Sequence, residues 1–189
     1  MLVEQIIKET LELQGFRIVS IEKTILGLTV QLDADRRFKP RCGVCENKAA
    51  YRDTRKMRCF RHVPLWGIPV TLQYAPRRVI CSTCGGIHSE ELPWATGKHH
   101  LTNAFACFLA YWARRLPWIE VARQFRCAWN TVASAVKFAV AYGLANRDIS
   151  NIRNIGIDEI SRKRGHTYVT NVYDLAGGRL LWSGDGRTP

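Results

Sequence analysis

Two short cysteine motifs carry the first chemistry in this chain. Cys42-Gly43-Val44-Cys45 and Cys81-Ser82-Thr83-Cys84 are Cys-x-x-Cys pairs separated by 35 residues. A two-residue spacer lets one tight turn present two sulfurs to one ion, and two such turns complete a closed tetrahedral site. Zinc suits four thiolates because it imposes no d-electron geometry of its own. Gly85 and Gly86 follow the second pair and supply positive φ without steric cost. A redox dithiol or a disulfide framework uses the same residues, but the pair recurs in duplicate and no secretory signal precedes it. Cys42, Cys45, Cys81 and Cys84 are therefore the expected ligands of a structural zinc. Cys59-Phe60-Arg61-His62 also has ligand spacing, and His88 lies four residues after Cys84; four thiolates already close the site and leave these as bystanders. Cys107 and Cys127 fall in apolar helical patterns and read as core thiols.

Charge points to the same region. The 189 residues carry a formal net charge of +12, and between Arg36 and Arg78 twelve Lys or Arg face only Glu46 and Asp53. A patch so poor in acids attracts polyphosphate, so nucleic acid is the favoured partner, with Arg55, Arg58, Arg61, Arg77 and Arg78 as candidate contacts. The apolar fraction of 47% is enough for a real core. No run of about 18 apolar residues occurs, which argues against a membrane span and for a soluble, reducing, cytoplasmic setting.

The elements that must position these groups follow from periodicity. Leu2, Ile6, Ile7, Leu11 and Leu13 predict a short amphipathic helix over residues 1–14, with Gly15 at its C-cap. Phe16, Ile18 and Ile21, a turn near Leu26-Gly27, then Leu28, Val30 and Leu32 predict a hairpin. Val70, Leu72 and Tyr74 alternate before Val79 and Ile80 reach the second cysteine pair, as a strand returning to the metal would.

From Leu101 the period lengthens to that of a helix. Phe105, Phe108, Leu109, Trp112 and Leu116 mark a stripe that Pro117 ends, and Pro117 can open a second helix over Trp118–Phe125. A third begins near Trp129, across Arg126-Cys127-Ala128. This is the length and connection of a helix-turn-helix, although Arg126 stands where the turn often has glycine and Ala128 is a poor cap, so a plain helical hairpin stays open. Val132, Ala135, Val136 and Ala139 would pack the third helix down. Asn130, Ser134 and Lys137 share another face and could reach bases or phosphates. Polar residues 143–154 read as a linker. Beyond them Ile155–Ile160, His166–Tyr173 and Leu180–Ser183 predict a three-stranded meander with turns at Arg162–Gly165 and Ala176–Gly178.

This order of parts resembles the bacterial insertion-sequence transposases of the ISL-three family. The resemblance rests on Arg61-His62-Val63-Pro64-Leu65-Trp66-Gly67-Ile68-Pro69-Val70, on Pro76-Arg77-Arg78-Val79 ahead of Cys81-x-x-Cys84-Gly85, and on Leu92-Pro93-Trp94-Ala95 with Gly97-Lys98. It continues through Tyr111-Trp112-Ala113-Arg114-Arg115-Leu116, Gly156-Ile157-Asp158-Glu159-Ile160, Arg164-Gly165-His166 and Leu180-Leu181-Trp182. The resemblance implies an N-terminal helix and hairpin (1–38), a zinc ribbon (39–96) and a helix-turn-helix domain (97–145). Residues 146–189 would then be the first strands of a DDE catalytic domain. The expected fold class is α+β, with an incomplete RNase-H-like meander.

The same resemblance implies binding to the terminal inverted repeats of an element. It also implies cleavage and joining by Mg or Mn held on three carboxylates, since hard cations take oxygen ligands. Asp158 maps onto the first carboxylate. Glu159 would point to the opposite face of a regular strand. The second Asp and final Glu have no counterpart here, and Asp174 and Asp185 are explained by turns. Enzyme activity is accordingly uncertain. An uncovered meander exposes apolar area and strand edges, so residues from about 155 are expected to be the least stable.

Three readings follow: a double-stranded-DNA-binding fragment of a transposase, a regulator competing with or joining a full-length transposase, and a general RNA- or protein-binding zinc module. A chain completed by frameshifting or by a second polypeptide, and a homo-oligomer, stay open.

Overall fold

The computed structural model describes residues 2–11, 13–97, 99–163 and 167–185. Lys98 and Arg164-Gly165-His166, quoted in the resemblance above, lie outside the described residues; of the turn expected at Arg162–Gly165, Arg162 and Lys163 instead continue a strand from Ile155. The chain divides into two units, Met1–Tyr142 and Gly143–Pro189.

The first unit opens with α1 (Leu2–Thr10), followed by β1 (Phe16–Thr24) and β2 (Gly27–Ala34), the predicted hairpin. The helix ends five residues before Gly15, whose φ of +85° serves instead in the turn leading into β1. Among the described residues of this region, Ile7 and Leu11 are buried in the core and Leu13 packs against it. Next come β3 (Ala50–Thr54), β4 (Arg58–Leu65), β5 (Ile68–Tyr74), β6 (Arg77–Ile80) and β7 (Ile87–Ser89).

The stretch expected as one zinc ribbon is divided between two sheets. β4 and β5 extend the hairpin into a four-stranded sheet of order β1-β2-β5-β4, while β3, β6 and β7 form a separate three-stranded sheet of order β3-β6-β7 that carries the cysteine turns. The join is a parallel pairing of β2 with β5, Leu28 opposite Val70 through Gln31 opposite Gln73. Alternation decides the inner face: Val30 and Leu32, Phe60, and Val70, Leu72 and Tyr74 are all buried beneath α1 and Trp94. Phe16, Phe60 and Tyr74 meet the Trp94 ring edge-on, with centroids 4.6–6.4 Å apart, the arrangement that aromatic quadrupoles favour.

One buried polar network ties the two sheets together. Glu90 is almost fully enclosed; its Oε1 accepts the Tyr74 hydroxyl and the Arg77 backbone N–H, both at 2.6 Å, and its Oε2 accepts Arg77 Nε at 2.7 Å. Burial next to this carboxylate pushes the Tyr74 phenol far above its ordinary range. Glu90→Ala would leave the Arg77 cation enclosed without a counter-charge. It should cost about 3–5 kcal/mol in a denaturant unfolding experiment, whereas Glu90→Gln, which keeps one acceptor oxygen, should cost less.

Three helices follow: α2 (Asn103–Ala113), α3 (Trp118–Gln124) and α4 (Trp129–Ala145), of which α4 ends three residues past the first unit. Thr102 caps α2 by accepting the Phe105 N–H. Their core is Phe105, Leu109, Val121, Val132 and Ala135, with Phe108, Trp112 and Phe125 packed around it. Cys107, expected in this core, is exposed instead, because α2 turns Phe105, Ala106 and Leu109 inward; Cys127 is half-buried against the cluster.

His62 links β4 to the helices. It is 5% exposed, and its Nδ1 lies 3.0 Å from the Thr102 hydroxyl. Burial pushes the imidazole down to about 4. Between pH 6.5 and 4 the unfolded chain therefore binds a proton here that the folded chain does not. The stabilisation is complete above about pH 6.5 and is lost as the pH falls towards 4. Thermal unfolding should show about 2 kcal/mol lost at this site between pH 7 and 4.5, a component that His62→Gln removes.

The second unit holds β8 (Ile155–Lys163), β9 (Thr167–Asp174) and β10 (Arg179–Asp185), an antiparallel meander of order β10-β9-β8 as predicted. Ile155, Ile157, Ile160, Leu180 and Trp182 are exposed on it.

Candidate functional site

The four cysteines come together as expected. Cys42, Cys45, Cys81 and Cys84 bring their sulfurs within 4.8 Å of one another and form the one such group of three or more potential ligands among the described residues. Two cross-pairs, Cys42 with Cys84 and Cys45 with Cys81, lie 3.7 and 3.4 Å apart. These separations are far beyond the roughly 2.05 Å of a disulfide. They are close to the ~3.8 Å edge of a tetrahedron built on metal–sulfur bonds of about 2.3 Å. The donor set thus fits a tetrathiolate metal ion.

The two turns are built alike. In each, the N–H of the first cysteine donates to the carbonyl five residues on, Cys42 to Asn47 and Cys81 to Gly86. In each, the residue after the second cysteine takes positive φ: Glu46 at +59° and Gly85 at +72°. Gly43 donates to the Ser89 carbonyl, and a Cβ there would meet that oxygen at 2.9 Å, so the first turn can sit on the end of β7 only as glycine. Hydrogen bonds from the Cys84 and Thr83 amides hold the Cys81 thiol down at about 6. Burial among the other sulfurs pushes Cys84 up to about 12. Bringing all four sulfurs to the thiolate at one point would need a cation.

His62 and Cys59 lie apart from this cluster, the first bonded to Thr102 and the second exposed on β4; His88 contacts the Gly85 carbonyl through Nε2 at 2.6 Å.

The candidate arginines fall into two groups. Arg77 is enclosed on Glu90, and Arg78 makes a bidentate pair with Asp53 at 2.6 and 2.5 Å, which holds the Asp53 carboxyl below its ordinary range. Arg61 turns inward to the carbonyls of Phe125 and Arg126, and Arg58 donates to the His99 carbonyl while its guanidinium lies over the Phe60 ring. Arg55 is exposed, beside Lys56 in the turn between β3 and β4.

On α4, Asn130, Ser134 and Lys137 are all exposed and lie on one stripe, while Val132 and Ala135 are buried beneath. Asn130 and Ser134 border a cleft of about 570 Å³ whose other wall is Cys59, His99 and His100. The sequence reading missed the two histidines. Their only signal is a polar His-His step just before an N-cap, and nothing in the local pattern tells which helix they face. At the entry of α4 the Trp129 ring packs 5.7 Å from Trp118.

Asp158 is exposed on the central part of β8, opposite Asn171, and Glu159 pairs with Thr170 on the alternate face. Asp174 accepts the N–H groups of Ala176 and Gly177 and the Arg179 side chain, the turn role expected of it.

Among the described residues, no helix is long and apolar enough to cross a membrane. The family model for DDE transposases of the ISL-three type, described as a transposase, matches residues 155–189. The chain is 37% identical over 150 residues to the transposase for insertion sequence element IS1557 of Mycobacterium tuberculosis, covering 77% of this chain and 33% of that protein. It is 29% identical over 147 residues to the transposase for insertion sequence element IS1001 of Bordetella parapertussis, covering 78% of this chain and 36% of that protein. The chain thus spans about a third of the length of the curated relatives it matches. No solved structure matches it.

Proposed function

Because the chain belongs to the ISL-three family of insertion-sequence transposases, we propose that residues 1–142 are a zinc-folded module that binds the ends of a mobile element as duplex DNA. The observation that carries this reading is the exposed stripe Asn130, Ser134 and Lys137 on a helix packed down by Val132 and Ala135. α3 and α4 are read as a helix-turn-helix whose second helix enters the major groove. Arg55 and Lys56, with Arg52, supply a separate exposed contact for phosphates. Zinc on Cys42, Cys45, Cys81 and Cys84 holds the β3-β6-β7 sheet that presents this basic turn.

Asp158 is read as the first carboxylate of a DDE site. One carboxylate does not build the two-cation clamp of phosphoryl displacement, so strand cleavage is not part of the function proposed for these residues.

Salt dependence and nucleic-acid type test the proposal together. Affinity for a duplex DNA should fall log-linearly with salt, each neutralised phosphate contributing about −0.9 to the slope. An RNA duplex of the same sequence should bind more weakly, since its deep, narrow major groove does not admit a helix. Equal affinity for DNA and RNA would replace this reading with a general nucleic-acid-binding zinc module.

A further inference from the structure

We infer that Arg61 is a positioning residue that sets the direction of α4, and not a contact to DNA phosphate; the inference rests on the DNA-binding reading above. Arg61 is held at both ends of the helical bundle. Its backbone N–H donates to the His100 carbonyl at 2.8 Å, and its own carbonyl accepts the Thr102 N–H at 2.9 Å, which fixes the segment that enters α2 along the edge of β4. Its side chain leaves the sheet in the opposite direction from the buried Phe60 and His62. There the two terminal nitrogens donate to Phe125 O at 2.6 Å and Arg126 O at 2.8 Å, and the guanidinium lies 5.3 Å from the Phe105 ring centroid.

Those two carbonyls are the ones a helix end leaves without partners. Phe125 is the C-cap of α3, and Arg126 has φ of +48°. A side chain with a Cβ resists that left-handed conformation, and glycine does not. The rigid guanidinium fork offers two parallel donors to two adjacent oxygens, which a lysine cannot do. α4 starts at Trp129, three residues beyond Arg126, so the backbone of this turn determines where Asn130, Ser134 and Lys137 point. Arg61 takes the place of the glycine that the turn lacks.

The test compares wild type, Arg61→Ala, Arg61→Lys, Arg126→Gly and the Arg61→Ala/Arg126→Gly pair, on the full chain loaded with zinc. A terminal-repeat duplex and a scrambled duplex are titrated over a salt series, and amide hydrogen exchange is followed on the same samples. Arg61→Ala should lose about tenfold or more in repeat affinity, with the salt slope unchanged and the preference for the repeat reduced. Arg126→Gly should bind like wild type, and in the pair it should restore most of the loss. Arg61→Lys should fall between; it carries the comparison if the alanine variant does not fold.

A slope flattened by about 0.9 in Arg61→Ala, with no rescue by Arg126→Gly, would make Arg61 a phosphate contact and overturn the inference. Failure of the wild type to prefer the repeat would instead remove the DNA reading. Exchange then decides the positioning role by itself: the Arg126, Cys127 and Thr131 amides should exchange faster in Arg61→Ala while those of β2 and β5 do not change. Unaltered exchange in that turn would overturn it.

Discussion

The Cys81→Ser variant is expected to purify without metal, to lose the ordered β3-β6-β7 sheet, and to bind duplex DNA at least about a hundredfold more weakly. The reason is the size of the core around the cysteines. Its buried members are Cys42, Ala49, Val79 and Cys81, so two of the four are themselves proposed ligands. Two apolar side chains cannot hold a three-stranded sheet, and metal binding of about 10–16 kcal/mol, as in zinc-finger peptides, would supply most of its folding free energy. Hydrogen bonds from two backbone amides also favour the thiolate of Cys81.

The four-stranded sheet has an independent core in Val30, Phe60, Val70, Leu72 and Trp94. Unfolding in Cys81→Ser should therefore be partial, with native Trp94 fluorescence retained while far-UV signal and metal are lost. A chelator should reproduce the variant in the wild-type protein. If Cys81→Ser keeps the sheet and its DNA affinity, the metal is not what holds this module.

The second large effect is expected from α4. Replacing Asn130, Ser134 and Lys137 together by alanine should reduce preference for the terminal repeat by about 10- to 1,000-fold, since a good base contact discriminates by ~1–3 kcal/mol. All three are exposed, so circular dichroism and the unfolding midpoint should stay near wild type. The single changes separate their roles. Lys137→Ala should lower affinity for every duplex alike and take about one unit from the salt slope if it meets a phosphate. Asn130→Ala should relax specificity at one position of the site and leave the slope unchanged. Wild-type preference in the triple variant would remove α4 as the reading element.

Much of this architecture is local in origin and legible in the sequence. The cysteine spacing, the alternation that makes β1, β2 and the meander, and the change of period at Leu101 are each set within a few residues, and each is where the structure has it. α1 shows how such reading misleads. Gly15 is a plausible C-cap by type, but the helix ends at Thr10, with Ile7 and Leu11 buried in the core.

What was not legible depends on partners distant in the chain. Arg77 and Arg78 are adjacent and look alike in a basic run, yet Glu90 and Asp53 occupy them; only their long-range pairing makes one a buried joint and the other a surface pair. Arg61 and His62 are likewise neighbours on β4 that alternation sends to opposite faces. The parallel pairing of β2 with β5 leaves no local mark, since either strand could have paired with any other half-buried strand. Net charge pointed to nucleic acid as the partner, but it overstated how many arginines are free to meet one.

The most direct test of the account is a single titration on one purified sample with its metal content known, comparing the terminal-repeat duplex with a scrambled duplex at moderate salt before and after zinc is removed. The account predicts about one zinc per chain, a clear preference for the repeat, and loss of binding with the metal. Equal affinity for the two duplexes in the zinc-loaded protein would contradict it.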